Sequence, residues 1–176
     1  MIIGGGTPAA PPSGCAAGTI AIGDNTAGAS KAIGADNVYL YFAGYTAAES
    51  CSIDRLRVWI DDHNVSRNIR MGIYANGTNA PTGSPLATSD PVATPGAGGD
   101  PISIDCTITP VAVTASTKYW LALWVHETDI NVYDNGDVLN STGYMEATYS
   151  ATGAMPTISG FSGWDKQFVG CGKMAD

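Results

Sequence analysis

Apolar residues recur at every second position through most of the chain, whereas the 3.6-residue period of an amphipathic helix is almost absent. Strict alternation of this kind predicts β-strands that bury one face. The clearest alternating sets are Val38, Leu40 and Phe42; Ile69, Met71 and Ile73; Ile102, Ile104, Cys106 and Ile108; and Tyr119, Leu121, Leu123 and Val125.

The stretch CSIDRLRVWID contains a break in this alternation. Leu56, Val58 and Ile60 share one phase, whereas Cys51 and Ile53 fall in the other. Since a change of phase within one strand requires an extra residue in the ladder, we expect a β-bulge near Asp54.

Clusters of Gly, Pro, Asn and Asp separate the alternating segments. YANGTNAPTGSP is a long turn, SPLATS a short edge strand, and VYDNGDV is expected to contain an Asn-Gly turn at residues 135–136. About eight short strands follow, each with one face in the core and the other polar. This pattern predicts an all-β fold, an antiparallel β-sandwich or barrel, with residues 19–176 as a single domain.

Residues 1–18, MIIGGGTPAAPPSGCAAG, form a separate N-terminal arm in this interpretation. Its prolines and glycines exclude a helix or a central strand, and it lacks the basic and apolar regions of a signal peptide. Two interpretations remain open, a disordered tail and an arm that orders against a neighbouring subunit. In the second, the contact residues are Met1, Ile2, Ile3, Pro8, Pro11 and Pro12.

Composition and charge exclude two classes of partner. Only 14% of the residues are charged, the net charge is −8, and the eight Lys and Arg residues are scattered. The nearest approach to a basic cluster is Arg55/Arg57 and Arg67/Arg70, so we expect no nucleic-acid binding. No run of 18 apolar residues occurs, so we expect no membrane-spanning helix.

The four cysteines, Cys15, Cys51, Cys106 and Cys171, are too far apart for a C-x-x-C metal or redox motif. They allow three disulfide pairings, and the spacing does not choose among them. Cys51 and Cys106 lie in predicted strands, where a free thiol serves as a small apolar residue. Cys15 and Cys171 lie near the two ends and could join them.

Trp120 and Trp124 share the strand face opposite Leu121 and Leu123. They could form a sugar-stacking platform, or they could pack beneath another part of the protein. Packing is the favoured interpretation, because a central strand is apolar on both faces. The candidates for glycan stacking are Trp59, Trp124 and Trp164.

A group of oxygen ligands, Asp129, Asn131, Asp134 and Asp137, follows the second tryptophan. Oxygen ligands suit calcium, but the spacing does not match an EF-hand loop. A solvated turn is the favoured interpretation, and a structural calcium ion is the only cofactor considered.

Residues suited to catalysis are few. Glu49, Glu127 and Glu146 are far apart, His63 and His126 are isolated, and no known catalytic motif occurs. We therefore expect a protein that is not an enzyme.

The succession IRMGIYA, GSPLATS and TPVAVTASTKYWLALW resembles a jelly-roll module of phage virion proteins and bacterial extracellular proteins. The resemblance extends over about residues 20–126 and implies a sandwich of the carbohydrate-binding-module type, used in adhesion, display or assembly. Taken together with the missing signal peptide, the low charge and the Gly/Pro-rich arm, the resemblance leads us to expect a component on the exterior of a tailed-phage particle (a capsid decoration, head fibre or tail component). Such a protein would be made in the host cytoplasm, with other virion subunits as partners, in a homo-oligomer. The alternative is an extracellular adhesive domain that binds cell-surface glycans.

Overall fold

The computed structural model describes residues 15–28, 30–35, 38–61, 65–96, 101–126, 130–137, 142–163 and 166–174, with backbone alone at 30–35, 135–137 and 166–167. These residues form strands, turns and irregular segments, so the predicted all-β class is confirmed. None of them forms a helix that could cross a membrane. The strands are β1 (Ile20–Gly23), β2 (Ser30–Ala35), β3 (Tyr39–Thr46), β4 (Cys51–Asp61), β5 (Asn68–Asn76), β6 (Pro81–Thr88), β7 (Val92–Ala93), β8 (Ile102–Val113), β9 (Lys118–Val125), β10 (Ile130–Asp137), β11 (Thr142–Glu146), β12 (Ser162–Gly163), β13 (Lys166–Phe168) and β14 (Gly170–Lys173).

The fourteen strands in the described part of the chain form two antiparallel sheets and exceed the predicted eight, because several are only two to four residues long. In the first, sheet A, β4 pairs with β8 along one edge and with β14 and β10, end to end, along the other. β1 extends the sheet beyond β14, and β2 and β13 pair with β10. Strand β4 is therefore the central strand of sheet A, and it connects β8 on one side to β14 and β10 on the other.

The second sheet, sheet B, has the order β12-β11-β3-β9-β5-β6, and β7 also pairs with β5. Strand β9 lies near its centre, bonded to β3 on one side and to β5 on the other. Strand β6 is an edge strand, as the sequence predicted, and its pairing with β5 is irregular between Ile73 and Ala75.

The main core lies between the two sheets. Every alternating set predicted from the sequence contributes to it except Val38, Leu40 and Phe42, because β3 turns its tyrosines inward instead. From sheet B the core receives Tyr41, Ala43, Ile69, Met71, Ile73, Tyr119, Leu121, Leu123 and Val125, and from sheet A it receives Ile53, Leu56, Val58, Ile60, Ile104, Cys106, Ile108, Ile130, Val132 and Phe168.

The predicted bulge near Asp54 is confirmed. Ile53 pairs with Val111 and Arg55 pairs with Thr107, so residues 108–110 of β8 lie opposite Asp54 alone. This irregularity allows Ile53 before Asp54 and Leu56 after it both to face the core, although they belong to different phases of the alternation.

The predicted Asn-Gly turn is wrong. Strand β10 continues through residues 135–136, and its register against β13 shifts by one residue between Asp134 and Asp137. A glycine is tolerated at such an irregularity as readily as in a turn, so the dipeptide alone did not distinguish them.

One disulfide joins Cys15 to Cys51, whose α-carbons are 5.2 Å apart. Cys106 and Cys171 are buried free thiols, so the Cys15–Cys171 pairing considered above does not occur. The bond fastens the segment before β1 to the first residue of β4. Disulfides of this kind persist in oxidising surroundings.

The predicted arm contacts, Met1, Ile2, Ile3, Pro8, Pro11 and Pro12, lie outside the described residues.

We expect loss of the disulfide to lower the free energy of unfolding by about 2–4 kcal/mol, because the bond restricts the unfolded chain over 36 residues. Urea denaturation with and without a reductant measures this. The reductant should have no effect on Cys15→Ser, and an unchanged midpoint for the reduced native protein would contradict the expectation.

Candidate functional site

The outer face of sheet B forms a second core. Leu40, Phe42, Tyr74 and the two tryptophans of β9 point away from the first core and are buried. Trp120 is 0% exposed and Trp124 is 3% exposed. The expectation of a polar outer face is therefore wrong for this sheet.

The cover is an irregular segment, residues 147–161, which we call the strap. Met155 packs against this face, and Ile158 and Phe161 lie at its margin. Hydrogen bonds fix the strap in place: Trp124 Nε1 donates to Ala147 O at 2.7 Å, and Ile158 N donates to Gly83 O at 3.0 Å. The strap is thus bound both to the centre of the sheet and to its edge strand.

Arg70 is the strap's main polar anchor. It is 6% exposed, its Nε donates to Ser89 O at 3.1 Å, and its Nη1 donates to Ser150 O at 2.9 Å and Gly153 O at 2.5 Å. The guanidinium also lies 5.9 Å from the ring centroid of Trp124. One cation therefore satisfies three backbone carbonyls where the strap crosses the sheet.

Phe161, the last residue of the strap, covers Trp120. Its ring meets Trp120 edge-on, with centroids 5.2 Å apart, over Gly143. A β-carbon at residue 143 would overlap that ring, which explains the glycine there. The Trp120/Trp124 face is consequently packed, and Trp124 is not an open stacking surface.

The other glycan-stacking candidates lie elsewhere. Trp59 pairs with Ser103 on the outer face of sheet A and is half-buried. Its indole nitrogen is buried without a hydrogen-bond partner among the described residues. Trp164 lies outside the described residues.

The outer face of sheet A carries a charged cluster. Arg57 donates to both carboxylate oxygens of Asp105, from Nε at 2.5 Å and from Nη2 at 2.8 Å. Lys173 Nζ lies 3.6 Å from Asp105 Oδ2. One row along the sheet, Arg55 donates to the hydroxyl of Thr107.

The environment of Asp105 lowers its pKa below the ordinary value. Partial burial raises the pKa, but the hydrogen bond and charge of Arg57, with the charge of Lys173, outweigh it. The carboxylate therefore stays ionised and paired with Arg57 at neutral pH.

An open groove of about 840 Å³ runs beside this cluster, where the β6–β7 connection faces β8. Its walls are mostly hydroxyl and carboxylate groups, and its lining consists of Thr88, Asp90, Val92, Asp105, Thr107, Ile108 and Thr109. Its volume lies within the range of small-molecule sites.

The two free thiols are unsuited to nucleophilic chemistry. Burial raises the pKa of Cys106 and of Cys171 to about 12. Both thiols are thus protonated at neutral pH, and only the thiolate is strongly nucleophilic.

The predicted calcium ligands fall in different surroundings. Asn131 is half-buried and Asp134 is buried on β10, the side chain of Asp137 is not described, and Asp129 lies outside the described residues. The described residues contain no group of three or more His, Cys, Asp or Glu side chains that could hold a metal ion. The calcium site stays a prediction.

The acid–base candidates are not brought together among the described residues. Glu49 and Glu146 are exposed, whereas Glu127 and His63 lie outside the described residues. The ring of His126 lies 5.0 Å from that of Tyr149 in the strap.

Comparison with known proteins adds no identification: no family model, no curated protein and no solved structure matches the chain.

We expect Arg70→Met to lower the free energy of unfolding by about 2–4 kcal/mol, because methionine keeps apolar volume over Trp124 but leaves three carbonyls without this donor. Tryptophan fluorescence during urea denaturation measures the change. Lys118→Met is the control, since it removes a cation 4.5 Å from the Trp120 ring and should cost at most about 1 kcal/mol. Equal losses in both variants would contradict the role of Arg70.

We expect Asp105→Asn to reduce the pH dependence of stability in acid. A carboxylate whose folded pKa is lowered stabilises the fold above its unfolded pKa, and that contribution is lost as the pH falls through the folded pKa. The native protein should therefore lose stability below about pH 4, and the variant should lose less. Asp90→Asn, which removes an exposed carboxylate of the same groove, is the matched control. Identical profiles for the native protein and Asp105→Asn would refute the assignment.

Proposed function

We propose that this chain is a non-enzymatic jelly-roll module on the exterior of a tailed-phage particle, as a capsid decoration, head fibre or tail component, where it mediates assembly, stabilisation or adhesion. The resemblance of residues 20–126 to such modules supports this proposal. The two antiparallel sheets with one shared core are compatible with it.

The observation that carries the proposal is the position of the disulfide. Cys15 lies near the C-terminal end of the N-terminal arm, and its partner Cys51 is the first residue of β4, which pairs with β8 on one edge and with β14 and β10 on the other. A mechanical force applied to the arm would be transmitted through the Cys15–Cys51 bond to β4, and it would not have to be resisted by the hydrogen bonds between β1 and β14. Such an anchor suits an arm that docks to a neighbouring subunit.

A second candidate function is an extracellular carbohydrate-binding or adhesive domain. Trp59 favours it, because this half-buried indole on the outer face of sheet A keeps part of its aromatic surface exposed. Closure of the Trp124 face by the strap removes the other described stacking candidate.

Deletion of residues 1–14 should change the melting temperature little but abolish assembly or docking, because the deleted residues precede the disulfide. Native mass spectrometry and negative-stain imaging, with and without phage shells or tails, measure both effects. An arm of the same length and composition in scrambled order is the control. Normal assembly of the truncated protein, or a strictly monomeric native protein without affinity for shells or tails, would sink the proposal.

A further inference from the structure

Three cationic residues lie together on the outer face of sheet A, although Lys173 among them is buried. The chain has a net charge of −8 and eight Lys and Arg residues, yet three of these lie together on the outer face of sheet A. Strand pairing places Lys173, Arg55 and Thr107 in one row across the sheet. The next row contains Arg57 and Asp105. Within these rows three cations face one carboxylate.

Arg55 differs from its neighbour Arg57. Arg57 is held by both oxygens of Asp105 and donates to Asn25 Oδ1 at 2.9 Å. The hydrogen bond of Arg55 goes to the Thr107 hydroxyl, and it has no carboxylate partner among the described residues. A guanidinium has five N–H donors in a fork that matches a carboxylate or sulfate. Arg55 therefore presents donors for an anionic group.

An aromatic ring lies on the same face. Arg55, Arg57 and Trp59 alternate outward along β4, so Arg55 and Trp59 are separated by about 13 Å. This length suits a short oligosaccharide better than a single sugar ring. Thr107 belongs both to the Arg55 pair and to the groove wall, so the row opens directly into the groove.

We propose that the outer face of sheet A binds an acidic saccharide, with a carboxylate or sulfate on Arg55 and Thr107 and a sugar ring against Trp59. Asp105 is already neutralised by Arg57 and Lys173, so it accepts hydrogen bonds from sugar hydroxyls without dominating the local charge. Asp90 on the opposite wall of the groove restricts the anionic group to the Arg55 side. The inference rests on a non-enzymatic binding role, and it holds for either the virion or the extracellular setting.

Calorimetric titration of the native protein with three tetrasaccharides tests the site: a galacturonic acid tetramer, a sulfated galactose tetramer and an uncharged galactose tetramer. At least one charged tetramer should bind at least about tenfold more tightly than the uncharged one, because a charge-assisted pair adds that much affinity. Comparison of the galacturonic acid tetramer with the sulfated galactose tetramer shows which anionic group the site prefers. Raising the salt from about 0.05 M to about 0.5 M should weaken only the charged ligand's binding.

Arg55→Gln should weaken binding of the charged tetramer by about tenfold or more. Lys118→Gln, which removes one positive charge from sheet B, should stay within about twofold, because the lost charge is remote and screened. Arg55→Lys keeps the charge without the fork and should fall between them. Trp59→Ala should weaken binding while the salt dependence remains. Thermal melts of each variant establish that the fold is intact.

Equal affinity for charged and uncharged tetramers, no binding by any of the three, or equal effects of Arg55→Gln and Lys118→Gln would each overturn the site. None of these results bears on subunit assembly, which imaging and native mass spectrometry report independently. A failed saccharide site and a failed virion role are therefore distinguishable.

Discussion

Strand β9 is apolar on both faces, and much of the architecture follows from that constraint. Leu121 and Leu123 face sheet A, whereas Trp120 and Trp124 face the other way and would meet water if nothing covered them. Burying an aromatic side chain of this size contributes a few kcal/mol, so a cover over the second face is strongly favoured. The strap provides it, and Arg70 satisfies the carbonyls that this irregular cover brings to a buried position.

The two sheets differ in how their outer faces are covered. Sheet B is enclosed between the main core and the strap, so it holds large rings on one side and aliphatic side chains on the other. Sheet A is covered on its inner face, where Gly172 leaves room for Ile53, and its outer face carries ion pairs and hydroxyls. The candidate ligand site therefore lies on sheet A, while sheet B serves as the rigid support behind it.

Local patterns predicted the strands well and the long-range arrangements poorly. Alternation identified the inward residues of β5, β8 and β9 and even the irregularity at Asp54, because side-chain direction has a period of two along a strand. The strap has no period, so only the apolar Met155, Ile158 and Phe161 within a polar segment could have signalled it. The Cys15–Cys51 bond and the row of Lys173 with Arg55 join residues far apart in sequence, and only the sheet pairing brings them together.

The backbone of the edge strand β6 determines whether another chain can pair with this edge of sheet B. An unpaired sheet edge is a template on which another chain can add a strand, so molecules packed side by side risk fusing their sheets. Here Gly83 adopts a left-handed φ of 70°, Pro85 lacks an amide donor, and the carbonyl of Gly83 is already bonded to Ile158 of the strap. At this edge of sheet B, addition of a strand from another chain is therefore hindered by the backbone of β6 itself and by the strap.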